Sequence, residues 1–194
     1  TSWDAYRFEV SAHRWVRLEN ASRSWAIAND ATYGWDVTRH QNDRRGTWSQ
    51  VRATLVKSAR FPDPDQDQGQ HQWNFRIVPD ASVLEAVAAG QQINLGEREV
   101  SGAPVDAPFS VSGAVVESVA LAPDRSGDLV IRLYEAEGGP SRVTFRAPKA
   151  GSVTACDLRY RPSESEPELR GGQGEWSFDL SAFQITTLRV SFAK

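Results

Sequence analysis

Residues 24–79 read SWAIANDATYGWDVTRHQNDRRGTWSQVRATLVKSARFPDPDQDQGQHQWNFRIVP, and this stretch decides the fold. It opens with the apolar run SWAIAND and breaks at Asp30-Ala31-Thr32-Tyr33-Gly34. A polar segment follows; the apolar pattern resumes as VRATLVKSARF, turns through PDPDQDQGQ and finishes in HQWNFRIVP. Short apolar runs punctuated by Asn, Asp, Pro and Gly predict three strands joined by two loops rich in ionisable side chains. Within residues 51–57, Val51, Ala53, Leu55 and Lys57 fall on one face, apolar until its last member. Gly34 is expected to supply a positive φ at the first turn. Recognition residues concentrate on loops held by a rigid sheet, so these two loops are where a ligand would be met.

Upstream, YRFEV (6–10) and HRWVRLE (13–19) cluster aromatic and branched residues over strand-like lengths. After Pro79 the period changes. ASVLEAVAAG places Val83, Leu84, Val87 and Ala88 at helical spacing, with Asp80 or Ser82 as N-cap and Gly90 as the stop. That predicts a single short helix of about two to three turns. Residues 96–108 carry prolines, glycines and mixed charges without period, and read as a linker. Six further strands follow in AVVESVALAP, DLVIRLYEA, SRVTFRAP, GSVTACDLRYRP, GEWSFDLS and FQITTLRVSFAK. Their spacing and the turns between them predict a small β-sandwich. In DLVIRLYEA, Leu129, Ile131 and Leu133 share one face, and the acidic, glycine-rich 162–174 is expected to be a hairpin tip.

Composition agrees. A chain of 194 residues with 10 prolines, 14 glycines and 7 tryptophans suits a turn-rich sheet protein, as one large domain or two smaller ones. A net charge of -3 excludes a basic footprint for nucleic acid. No apolar run approaches the roughly 20 residues a membrane helix needs. The absence of methionine and a start within strand-like sequence mark an expected piece of a longer protein. Cys156, the only cysteine, allows no intrachain disulfide and reads as a small buried apolar residue.

The chemistry legible in single residues is sparse. His13, His40 and His71 do not stand in a metal-ligand spacing, so no metal site is read here. Asp63, Asp65 and Asp67 ahead of Gly69 have the alternation of a calcium loop. Pro64 stiffens it, however, the glycine comes one residue late, and Asn74 occupies the place of the closing glutamate. Asp30 and Asp36 make a chance carboxylate pair for glycoside chemistry. Trp25, Trp35, Trp48 and Trp73 are candidates either for stacking on sugar rings or for the core.

The runs TSWDAYRFEVSAHRWVRLE, AIANDATYGWDV and LVKSARFPDPDQDQGQHQWNFRIVP resemble the C-terminal region of family 38 glycoside hydrolases, which are α-mannosidases. AHRW, ND-x-x-YG and PDPDxDxGxHxW carry the likeness, and AVVESVALAP, DLVIRLYEAEG and FQITTLRV extend it through the second half. The cytosolic and bacterial branch is the most similar, which implies a cytoplasmic protein. The resemblance implies an all-β fold: the end of a large mutarotase-like β-sandwich over 1–97, a linker over 98–108 and an immunoglobulin-like sandwich over 109–194. The family's enzymes are retaining and metal-dependent, with a zinc-type ion and a nucleophilic aspartate in an N-terminal catalytic domain.

By that resemblance this chain holds no catalytic residue and no cofactor. Its expected partners are the catalytic domain of the same polypeptide and an α-mannoside, with no nucleic acid or membrane. Asn29, Asp30, Tyr33 and Lys57 are the expected rim or interface residues, with Lys57 at the end of the strand neighbouring the 29–34 turn. Two departures stand out. Leu55-Val56-Lys57 replaces the family's leucine-leucine-arginine, giving a point charge for a planar fork, and Asn20-Ala21-Ser22-Arg23-Ser24-Trp25 replaces a glycine-rich turn. The alternative from the residues alone is an autonomous carbohydrate-binding or protein-interaction module.

Overall fold

The computed structural model describes residues 8–44, 46–97, 99–103 and 105–192. The chain divides into two compact units, Thr1–Glu99 and Val100–Lys194. Residues 99–103 and 105–109 carry no strand or helix.

The first unit holds β1 (Val10–Ser11), β2 (Trp15–Glu19), β3 (Ser24–Asn29), β4 (Gly34–Asn42), β5 (Gly46–Thr54), β6 (Phe75–Pro79) and α1 (Val83–Asn94). They form two antiparallel three-stranded sheets, ordered β2-β3-β6 and β1-β4-β5. The polar segment expected as a loop after Trp35 is instead a hairpin of β4 and β5, paired from Gly34↔Thr54 to Asn42↔Gly46. Its apolar signal fades after Val37 because its distal half is largely exposed on both faces, so alternation there has nothing to bury. β3 therefore pairs with β2 and β6, and β5 belongs to the other sheet. β5 also stops at Thr54, short of Lys57. The backbone N–H groups of Lys57 and Ser58 leave the ladder to donate to the Asp67 carboxylate, at 2.9 and 3.0 Å. Of the strand expected at 6–10, residues 6 and 7 lie outside the described residues, and Val10 is in β1.

Ser82 caps α1. Its hydroxyl accepts from Glu85 N at 3.2 Å, and the Glu85 carboxylate accepts from Ser82 N at 2.8 Å, a reciprocal pair that satisfies two orphan donors. The helix does not stop at Gly90 but continues to Asn94. Gly90 serves close packing instead: a Cβ there would lie 3.0 Å from Trp15 Cδ1 and 3.2 Å from Arg14 Cβ. This contact seats α1 on one face of β2-β3-β6, where Ala26, Ala81 and Ala86 are fully buried with Trp15 and Val78 against them.

The second unit is a β-sandwich of β7 (Ser110–Ser112), β8 (Val115–Leu121), β9 (Leu129–Tyr134), β10 (Ser141–Arg146), β11 (Ala150–Cys156), β12 (Arg170–Gly172), β13 (Glu175–Leu180) and β14 (Ile185–Phe192). Its sheets run β12-β13-β10-β7 and β11-β14-β9-β8. The six strands read from sequence are β8 to β11, β13 and β14. β7 and β12 are three-residue edge strands, too short to leave an alternation pattern. β12 lies within the segment expected as a hairpin tip, and Glu166 from that segment accepts from the buried Thr186 hydroxyl at 2.8 Å. Ile131, Leu133, Val143, Phe145, Phe178, Leu180, Leu188 and Val190 interlock between the sheets at or near zero exposure. Each contributes roughly 1.5–3 kcal/mol of burial, by the usual value for a core side chain. Cys156 is buried, which pushes its thiol up.

Candidate functional site

The turn after β3 is a tightly bonded object. Asn29 is 2% exposed, and its Oδ1 accepts from the N–H groups of Ala31 (3.2 Å) and Thr32 (2.9 Å), an Asx turn. Its backbone N–H donates to Arg14 O at 2.9 Å, and its carbonyl accepts from Asn94 Nδ2 at 2.8 Å. The Asn94 amide also reaches Gly90 O at 2.8 Å, so the end of α1 is stitched to the end of β3. The Thr32 hydroxyl donates to Thr54 O, tying the turn across to the end of β5. Asp30 faces the other way. Its two carboxylate oxygens take the backbone and side-chain N–H groups of Asn74 at 3.0 and 2.6 Å, and those bonds hold its pKa below the usual carboxylate range.

Tyr33 leaves this turn 58% exposed, with its ring stacked on His13 at 5.3 Å. It lines an open cleft of about 470 Å³ together with Glu9, Gly34, Thr54, Lys57 and Asp67. Lys57 Nζ sits 3.1 Å from Glu9 Oε2, while Glu9 Oε1 accepts from the Thr54 hydroxyl. The Thr54 bond first, and then Lys57, keep the Glu9 carboxyl below its ordinary pKa. Asp67 is likewise lowered, by the N–H groups of Ser58 and then Lys57. Gly34 is what admits Glu9: a Cβ there would stand 2.2 Å from Glu9 Oε1. Its φ is not positive, so the expectation of a left-handed turn residue is corrected to one of close approach.

The structure thus brings Tyr33 and Lys57 to one cleft. Asn29 lies beneath it as the buried hub, and Asp30 points into the Asn74 clamp, not toward Lys57, whose carboxylate partner is Glu9. Glu9, Thr54 and Asp67 were not read from the sequence as site residues. Asp67 alone had a signal, the Asp alternation. Its carboxylate closes the loop onto residues 57 and 58, and Asp63 Oδ1 accepts from Asp65 N at 3.0 Å, so these acids are occupied by backbone donors.

Asp36 pairs with Arg52 at 3.0 Å and accepts from Thr38 at 2.9 Å. Asp30, Asp36, Glu9 and Asp67 are all lowered in pKa, hence ionised at neutral pH. That state suits accepting hydrogen bonds from hydroxyl or ammonium groups, and a general acid needs the opposite shift.

Among the described residues no group of three or more His, Cys, Asp or Glu is arranged to hold a metal ion. The histidines are engaged elsewhere: His13 with Tyr33, His40 stacked on Trp48 and 3.1 Å from Gln50 Oε1, His71 stacked on Trp73. The described residues therefore offer no ligand set that fits a catalytic zinc-type ion. No described helix is long and apolar enough to cross a membrane.

Two family profiles match the chain. The glycosyl hydrolases family 38 C-terminal domain matches residues 1–65, and the glycosyl hydrolases family 38 C-terminal beta sandwich domain matches residues 113–188. Human alpha-mannosidase 2C1 is 33% identical over 97% of this chain, and alpha-mannosidase G of Dictyostelium discoideum is 27% identical over 97%. An alpha-mannosidase of Saccharomyces cerevisiae is 28% identical over 99% of the chain. The chain spans 18% of the length of the first two relatives and 20% of the third.

Proposed function

The chain belongs to the C-terminal β region of the family 38 glycosyl hydrolases, and from that premise we propose that it braces the catalytic domain of an α-mannosidase and lends the rim of its sugar pocket. The observation carrying this reading is the cleft that Tyr33 and Lys57 both line, with Lys57 paired to Glu9. A phenol, an ammonium group and an ionised carboxylate around an open cleft supply both donors and acceptors to a polyol. They supply no acid–base pair, since the carboxylates are held ionised.

In this reading hydrolysis of terminal α-mannosides belongs to an N-terminal domain of the same polypeptide. That domain carries the divalent, zinc-type ion, and the protein works in the cytoplasm. Asn29 and Asp30 act as builders of the turn and do not touch sugar. Tyr33 and Lys57 touch it, which sharpens the four-residue rim expected from sequence into two contacts and two supports.

The test is kinetic, on the full-length parent. Tyr33→Phe is expected to lower kcat/KM for mannosides tenfold or more, about 1.4 kcal/mol of transition-state binding, with the melting temperature nearly unchanged. Asp30→Ala, which frees Asn74, is expected to lower stability as well. If Tyr33→Phe spares the kinetics and lowers only stability, the loop is scaffold and the rim assignment fails.

A further inference from the structure

Glu9 stands immediately before β1. The pairing of Ser11 with Gly34 carries it over Gly34, where the missing Cβ leaves room for its carboxylate. One carboxylate oxygen accepts from the Thr54 hydroxyl, and the other lies 3.1 Å from Lys57 Nζ. At its other end Lys57 is held by a second acid, since its backbone N–H donates to the Asp67 carboxylate at 2.9 Å. Lys57 is thus fixed at backbone and at ammonium by two acids, one 48 residues upstream and one 10 downstream.

The charge of the cleft follows from this arrangement. Glu9, Asp67 and Lys57 are the charged groups among the described residues that line it, two carboxylates to one ammonium. Hydrogen bonds hold both acids below their ordinary pKa, so both are ionised at neutral pH and the balance is negative. A lysine without an acid beside it attracts phosphates and carboxylates. Lys57 spends that attraction on Glu9, yet an ammonium group has three N–H donors, and two remain for the hydroxyls of a neutral ligand.

We propose that Glu9 is a specificity-determining residue, which by pairing with Lys57 makes the cleft accept neutral mannose and reject mannose carrying a phosphate group. The inference rests on the proposed rim and adds what that rim selects. Tyr33 and Lys57 supply the contacts to hydroxyls, and Glu9 sets the sign of the field around them. Rejection comes from like charge facing like charge, the repulsive half of any specificity. Asp67 adds to it while its hydrogen bonds to the backbone of residues 57 and 58 keep it in place.

The experiment compares hydrolysis of nitrophenyl α-mannoside and of its 6-phosphate by the full-length parent at low salt. The parent is expected to favour the neutral substrate. Glu9→Gln keeps an oxygen for the Thr54 hydroxyl and should shift the ratio of the two kcat/KM values at least tenfold toward the phosphate. Roughly that factor is expected when one unit charge is removed a few ångströms from a group carrying about −1.5 to −2. Most of the shift should vanish in about 1 M salt, where the screening length is about 3 Å.

An unchanged ratio overturns the inference, as does a shift that persists in high salt. An equal gain for the uncharged 6-methyl ether also overturns it, because room and not charge would then have changed. Should Glu9→Gln not fold, Lys57→Gln decides. That variant leaves the two carboxylates unopposed, so preference for the neutral sugar should rise at least threefold; no rise overturns the inference. If Tyr33→Phe keeps full kinetics in the parent, the rim falls and this inference with it. If Tyr33→Phe loses activity while Glu9→Gln leaves the ratio unmoved, this inference falls alone.

Discussion

Trp35→Ala is expected to destabilise the first unit strongly while leaving the stability of the second unchanged. Trp35 is 2% exposed, and its ring is set edge-on against Phe75, so it is the aromatic pin between the two sheets of that unit. Truncating a buried aromatic to alanine costs about 3–5 kcal/mol, the lost transfer energy plus the cavity left behind. The edge-to-face pair accounts for about 1 kcal/mol of that range. For a unit of this size each 1 kcal/mol shifts the melting temperature by about 4–8 °C, so a fall of at least about 12 °C follows.

Trp35→Phe separates packing from polarity. The indole Nε1 is buried without a hydrogen-bond partner among the described residues. An unmade buried donor costs about 1–3 kcal/mol, and phenylalanine removes it while keeping a six-membered ring against Phe75. The two missing carbons cost about 0.8 kcal/mol each, about 1.6 kcal/mol together, so the two effects nearly cancel and the variant should stay within about 8 °C of the original. Urea titration read by peptide-resolved hydrogen exchange reports each unit separately. A cost below about 1.5 kcal/mol for Trp35→Ala would show that the indole is not the packed junction described. Equal costs for the two variants would show that the N–H is not orphaned.

Two further outcomes are expected. Asp124 is held at a pKa of about 2 by the Ser126 hydroxyl and then Arg189, whose Nη2 lies 2.6 Å away. A folded pKa below the unfolded value near 3.9 gives stability that is present above about pH 4 and lost as pH falls toward 2. Asp124→Asn should therefore flatten the pH dependence of the second unit's urea midpoint over that window, with the two proteins converging at its acid end. Ser82→Ala removes the N-cap of α1 and should cost about 1 kcal/mol, read as a lower melting temperature of the first unit only.

Where the sequence was legible, the residues that fill the core recurred at a regular spacing. DLVIRLYEA gave β9 because Ile131 and Leu133 enter a sandwich core while Arg132 does not, and Ser82 was recognisable as a cap because its hydroxyl has a local task. The β4–β5 hairpin was illegible because its distal half buries little on either face, leaving no alternation to see. Gly34 and Gly90 were misjudged for one reason. Glycine in sequence signals a free backbone, but both positions need the missing Cβ so that Glu9 and Trp15 can approach. Tyr33 and Lys57 were expected near one another from the family likeness of the runs around them, and both line one cleft. Glu9 was not, because the contact joining it to Lys57 spans 48 residues and leaves no local pattern.

The same contacts bear on how support and rim depend on each other. The Ser82–Glu85 box fixes where α1 starts, and its length then fixes where Asn94 falls. Asn94 bonds the carbonyl of Asn29, Asn29 holds Ala31 and Thr32, and Thr32 bonds the end of β5, from which Lys57 departs three residues on. From Asn94 onward each link involves a buried or half-buried polar group, for which a lost partner costs more than the bond itself contributes. Tyr33 is therefore placed by a relay beginning at the far end of the helix, without a loop conformation of its own to adjust. A substitution along that relay should move the cleft and lower stability together, whereas one at the Tyr33 hydroxyl changes only what the cleft can hold.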